Sequence, residues 1–140
     1  MGRYLSIDYG RKRCGIAVTD TARIIASGLT TVQSCTLEKF LTDYMAKESV
    51  DRIIVGLPTT MRGEPSESMK YITPAVNRLK KLFPDTPIEF FDERFTSVLA
   101  HRAMIDSGMK KSDRRDKAVV DEISATIILN DYLQSTQNSN

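Results

Sequence analysis

From Arg3 to Val32 the chain holds three strand-like runs in direct succession, and from Thr36 onward helical and strand-like segments alternate. Runs joined by short turns fold back antiparallel, whereas strands separated by a helix return parallel. A chain that does the first and then the second builds a mixed sheet. In residues 3–9, Leu5, Ile7 and Tyr9 share one face and Tyr4, Ser6 and Asp8 the other, so the second face of this strand ends in an acid. Gly10 permits a turn, and Cys14 to Thr19 forms the return strand. There Gly15 and Ala17 are small enough to admit a close neighbour or a bound phosphate. Ile24 to Val32 reads as the third strand.

Thr36 is placed to cap a helix running to about Lys47, with Leu37, Phe40, Leu41 and Tyr44 at helical spacing. Arg52 to Gly56 is a short run typical of a buried parallel strand. The loop Leu57 to Pro65 leaves its carboxyl end, where open α/β sheets bind ligands. The next helix extends to Phe83, and Pro74 predicts a kink or a restart capped by Thr73. Ile88 to Asp92 is the following strand. A helix carrying Val98, Leu99, Ala103, Met104 and Ile105 stops at Gly108, and a last helix spans Asp116 to Leu133. These elements make one domain over residues 1–134, with a polar, disordered tail over 135–140. The expected fold is α/β, a mixed five-stranded sheet with helices on both faces, which is the element order of the ribonuclease H-like fold.

At 140 residues, 41% hydrophobic and 27% charged, the composition is that of an ordinary soluble domain with a real core. No run approaches a membrane span and the start has no signal-peptide apolar region, so the expectation is a cytoplasmic protein with no membrane partner. Cys14 and Cys35 lack metal-ligand spacing and are too few for a disulfide framework; they read as reduced thiols. There is no P-loop, no GxGxxG and no zinc-type spacing. His101, the single histidine, has no Ser or Cys constellation around it and reads as structural or surface.

Three acids remain as candidates for chemistry. Asp8 stands in Asp-Tyr-Gly at the end of the first strand, where an aspartate that merely caps the turn is the competing role. At the end of the Ile88–Asp92 strand, alternation forbids Asp92 and Glu93 from facing the same way. One of the two is the candidate ligand, with Glu93 favoured over its competing role as an ion-pair partner of Arg94 or Arg102. Asp121 shares a helical row with Ala118, Ala125, Ile128 and Tyr132, where an acid is costly unless charged against a metal or hydrogen-bonded. Glu122 stays as a substitute, and Asp116 is near enough to face the same site; both also suit a helix N-terminus. If the fold unites Asp8, Glu93 and Asp121, their repulsion requires a divalent cation with oxygen ligands, Mg²⁺ or Mn²⁺. Such a cluster does phosphoryl-transfer chemistry, with Asp8 bridging two ions and Glu93 and Asp121 completing the shell. That is a metal-dependent phosphodiester hydrolase.

The net charge of +2 says less than its distribution. Arg11, Lys12 and Arg13 follow the first strand, Arg94 follows Glu93, and Lys110, Lys111, Arg114, Arg115 and Lys117 crowd the stretch KKSDRRDK. Any single cluster also fits a solvated loop or helix end. The first and last flank two of the three acids, which points to a nucleic-acid backbone as the partner.

Asp8-Tyr-Gly, Gly15-Ile-Ala, Val55-Gly-Leu-Pro, Asp92-Glu-Arg-Phe-Thr and Asp116-Lys…Asp121…Ala125…Ile128-Leu129 occur in this order. Together they resemble the YqgF family of Holliday-junction-resolvase-like proteins, also described as pre-16S rRNA nucleases, over Arg3 to about Leu133. The resemblance implies a ribonuclease H-like nuclease of the bacterial cytoplasm that matures the 5′ end of small-subunit rRNA. Its acidic triad falls on Asp8, Glu93 and Asp121, and its patterned basic positions on Arg11 and Arg94. Thr60, Pro74 and Ser124 depart from the family pattern without touching the triad. Precursor rRNA, possession of a ribosomal partner in the small subunit, and a monomer or homodimer are therefore expected.

Two other activities compete. A resolvase of four-way DNA would use the same acids and needs a dimer, for which apolar residues between Leu57 and Met69 are a weak candidate face. A non-catalytic RNA-binding module would use the basic clusters alone. Actin-like and sugar-kinase ATPases, which also follow an Asp-x-Gly strand, need a duplicated domain and further Gly-rich loops; seven glycines, with no Gly-Gly pair, set them aside.

Overall fold

The computed structural model describes residues 2–57, 69–92 and 117–138, the side chains of 57, 92, 117–122, 137 and 138 excepted. In chain order the elements are β1 (Arg3–Tyr9), β2 (Arg13–Thr19), β3 (Ala26–Gln33) and a 3₁₀ turn at Ser34–Thr36. Then come α1 (Leu37–Lys47), β4 (Val50–Leu57), α2 (Met69–Leu82), β5 (Ile88–Asp92) and α3 (Lys117–Asn138). The sheet order is β3-β2-β1-β4-β5. The first three strands pair antiparallel, and β1–β4 and β4–β5 pair parallel, so the mixed sheet follows from the hairpins and crossovers.

Alternation along β1 divides the core. Leu5 and Ile7 join Ile16, Ile53 and Val55 beneath Leu37 and Leu41 of α1 and Ile72, Val76 and Leu79 of α2. On the opposite face Ala17, Ala26 and Ile54 pack against Ala125, Ile128, Leu129, Tyr132 and Leu133 of α3. Helices therefore cover both faces. The β2–β3 pairing carries a bulge between Ile16 and Ala17, where Leu29 is the extra residue on β3.

Four local expectations change. Pro74 lies inside a continuous α2, so Thr73 caps no restart. Its lost backbone bond and ring clash cost about 3 kcal/mol, whereas burying Ile72, Val76 and Leu79 contributes about 1.5–3 kcal/mol each, and the burial wins. Thr36 sits at the start of α1 without a capping bond; its hydroxyl instead donates to the Gln33 carbonyl at 2.9 Å, closing the 3₁₀ turn. Ile24 and Ile25 precede β3 as exposed residues. The Asp20 carboxylate takes their backbone N–H groups at 2.8 and 3.2 Å, which turns the chain before pairing begins. Finally, α3 continues to Asn138, through residues 135–138 of the expected polar tail. Tyr132 and Leu133 are anchored in the core just before it, and the Ser135 and Thr136 hydroxyls bond back to their carbonyls. The segments 58–68 and 93–116, with the expected helix to Gly108, His101 and most of the weak dimer face, lie outside the described residues.

The carboxyl-terminal half of α3 is tied to the sheet by a polar and aromatic cluster. Arg52 donates to the Tyr132 hydroxyl at 2.7 Å and to Glu89 at 3.3 Å. The Tyr132 ring meets Phe91 edge-on, with centroids 5.6 Å apart. Burial, then its hydrogen bond to the Glu89 carboxylate, pushes the Tyr132 phenol up to about 12 from the ordinary 10.0. The folded value lies above the unfolded one, so this stabilisation is complete below pH 10 and is lost as pH rises through about 12.

Two outcomes are expected. Ile128→Ala should cost about 2–5 kcal/mol in urea unfolding with an unchanged slope, while Ile24→Ser stays within about 0.5 kcal/mol. Between pH 10 and 12 the urea midpoint of the wild-type protein should fall more steeply than that of Tyr132→Phe, which has no phenol to ionise.

Candidate active site

Asp8 ends the functional face of β1. That face carries Tyr4, Ser6 and Asp8, and α3 covers it. Tyr4 meets the Tyr132 ring at 6.0 Å, and the buried Ser6 hydroxyl donates to the Ala125 carbonyl at 2.6 Å. Moving up β1 therefore means moving back along α3, and the two run in opposite senses. One helical turn before Ala125 is position 121. A turn rises about 5.4 Å and two strand residues about 6.8 Å, so the backbone brings position 121 to the level of Asp8. In register, Asp8 faces Gly15 on β2, and Gly56 on β4 follows the Ile7–Val55 pair. Neither neighbour has a side chain, so bare backbone borders the half-buried Asp8 on both sides.

Because β1, β4 and β5 are parallel, their carboxyl ends open at one edge of the sheet. β1 and β5 lie two strand spacings apart, about 10 Å. Glu93 follows the last residue of β5 and lies outside the described residues, and nothing is described of the Asp121 side chain. Among the described residues no three His, Cys, Asp or Glu side chains converge. The described backbone thus carries Asp8 and position 121 on two elements packed against each other, β1 and α3.

The basic turn is built by specific bonds. The Gly10 N–H donates to the Arg13 carbonyl at 2.9 Å, and a Cβ on Gly10 would lie 2.5 Å from that oxygen, so only glycine closes this turn without displacement. The Ser34 hydroxyl donates to the Gly10 carbonyl at 2.6 Å and its N–H to the Lys12 carbonyl at 2.9 Å. Arg11 lies over the Tyr71 ring at 6.0 Å. The result is an open hollow of about 510 Å³ lined by Arg11, Lys12, Arg13, Gln33 and Cys35. Three cations on one rim favour an anion. Gln33, Ser34 and Cys35 were not singled out by spacing; the signal that finds them is the β2–β3 register, which sets Gln33 opposite Arg13. Arg94, Lys110, Lys111, Arg114 and Arg115 lie outside the described residues, and Lys117 is the first residue of α3, with no side chain described.

A mixed sheet whose central strand ends in an aspartate, with an opposed helix over that face, defines a ribonuclease H-like protein. The fold is that of Thermus thermophilus RuvC ("T. thermophilus RuvC in complex with Holliday junction substrate"), with a TM-score of 0.58 and 13% identity over 97% of each chain. Residues 2–135 match the family model described as "RuvX: Holliday junction resolvase", and the chain belongs to that family of nucleases. It is 62% identical to the "Putative pre-16S rRNA nuclease" of Bacteroides fragilis over 135 residues, covering 96% of this chain and 98% of that one. The identity is also 62% to the protein so described in Bacteroides thetaiotaomicron, with the same coverage. It is 57% to that of Flavobacterium psychrophilum over 133 residues, covering 95% and 97%. By this homology the chain is a phosphodiester hydrolase.

Both cysteines are free thiols, Cys14 buried and Cys35 exposed at the hollow. A maleimide should therefore modify Cys35 in the native protein and reach Cys14 only in denaturant, as peptide mass analysis would read directly.

Proposed function

We propose that this protein is a Mg²⁺- or Mn²⁺-dependent nuclease that trims the 5′ end of precursor small-subunit rRNA in the cytoplasm. The observation that carries the proposal is Asp8 at the end of the central strand, on the face that α3 covers. Asp8, Glu93 and Asp121 would hold the metal, and an all-carboxylate donor set suits a hard divalent cation. Asp8 fits that role by position, at the end of the central strand where Gly15 and Gly56 are its neighbours in register. Glu93 is preferred to Asp92 because it is the residue of Asp92-Glu-Arg-Phe-Thr that matches the family's acidic position. Bound there, the metal would supply Lewis acidity toward the phosphate and lower the pKa of a water nucleophile.

The remaining residues bind and orient. Arg11, Lys12 and Arg13 offer the phosphate backbone a cationic hollow at the turn that follows Asp8, and Arg94, Lys110, Lys111, Arg114, Arg115 and Lys117 would add to that contact. The names of the close relatives support precursor rRNA as the substrate, with the small ribosomal subunit as its context. A monomer suffices for a single-strand cut.

A second substrate, four-way DNA, is favoured by the family description and by the fold shared with a resolvase bound to its junction. The two are separated by incubating wild-type protein and Asp8→Asn, with Mg²⁺ or Mn²⁺, on an RNA bearing the 5′ extension and on a four-way junction. The expected result is RNA cleavage that falls by about 10²-fold or more in the mutant. Paired symmetric cuts in the junction alone would replace rRNA with branched DNA and require a homodimer. RNA binding with no mutant-sensitive cleavage of either would reduce the chain to a non-catalytic RNA-binding module.

A further inference from the structure

We infer that Ser6 is a positioning residue for the metal site, its hydroxyl setting the register of α3 against β1 so that the helix backbone stands at a fixed height against the strand end that carries Asp8. The inference rests on the metal-binding role proposed above for Asp8. Ser6 is fully buried, on a sheet face whose flanking residues are Ala17 on β2 and Ile54 on β4. Its hydroxyl donates to the Ala125 carbonyl at 2.6 Å, a direct bond from strand to helix. Ala17 and Ala125 are both fully buried, and their small side chains let the helix backbone approach this closely.

Helix stability does not require this bond. The Ala125 carbonyl lies within α3, where the N–H four residues later already satisfies it. An alanine at position 6 would bury no polar group and leave none orphaned, and a buried hydroxyl with one partner contributes little net stability over that. What the hydroxyl adds is direction. Apolar contacts set no particular direction, whereas a hydrogen bond weakens steeply as its angle departs from linear. The bond also sits at the right place, two residues before Asp8 on the same strand face and one turn after position 121 on the helix. Arg52 and Tyr132 fix the far end of α3 and Ser6 fixes the near end, so the acid-bearing turn is held at two points along the helix.

The test measures Mn²⁺ affinity and metal-free thermal stability of full-length wild type, Ser6→Ala, Ser6→Cys and Asp8→Asn. Mn²⁺ binding by calorimetry and by the metal-induced shift in Tm gives readouts independent of cleavage. The expected result is Ser6→Ala with a metal-free Tm within a few degrees of wild type and a Mn²⁺ Kd raised about tenfold or more. Ser6→Cys, close in size with a weaker donor, should fall between them, and it carries the comparison if Ser6→Ala folds poorly. Raising Mn²⁺ should then restore most of the cleavage rate. A Ser6→Ala or Ser6→Cys protein with wild-type Kd overturns the inference, whatever its Tm, because the hydroxyl would then serve stability or nothing. Wild-type protein that binds no Mn²⁺, or binds it as well after Asp8→Asn, overturns the metal role of Asp8 and the inference with it.

Discussion

The docking of α3 across β1 is the constraint on which the rest of the molecule depends. One face of the sheet is closed by two helices, α1 and α2, whose aliphatic residues share a large common core. Among the described residues the other face is closed by α3 alone, through small contacts at Ala17 and Ala125 and a larger cluster around Tyr132. The first arrangement supplies most of the aliphatic burial. The second supplies position, because Asp8 lies on its side. Strand alternation forces that division: the residues that make β1 a good core strand, Leu5 and Ile7, leave Ser6 and Asp8 to the other face.

Much of this was legible in the sequence where local rules and global packing agree. β1 and β5 run over the residues that alternation assigns to them, because strands with a buried face cannot slip without exposing that face. Misplacements occurred where a local rule met a tertiary one. Proline predicts a break at residue 74, yet the buried row of α2 passes through it. The polar composition after Leu133 predicts a frayed end, yet the helix is already nucleated and anchored upstream, so its extension costs little. Thr36 is a good cap by type, but its hydroxyl is taken by the preceding turn.

The site was legible in part. Asp8 could be placed because strand parity and the following glycine specify its face and its end. The basic triplet after it could be named but not given a shape, since the hollow is made with residues some twenty positions later, joined through Ser34 and the β2–β3 register. Side-chain geometry at Glu93 and Asp121 lies outside the described residues, and their roles stay with the proposal. The relationship to RuvC, at 13% identity across nearly the whole of both chains, shows how little sequence this architecture needs to hold in common.

The bulge at Leu29 has a bearing on how copies of the molecule meet. β3 is an edge of the sheet, and a straight edge offers a row of unpaired backbone donors and acceptors to any passing chain. An extra residue in mid-strand breaks the spacing of that row and twists it. A foreign strand that aligned with one half would be out of step with the other. The opposite edge is β5, only five residues long, too brief to template much pairing. The β2–β3 hairpin thus also guards the sheet against growing by one strand at a time into an aggregate.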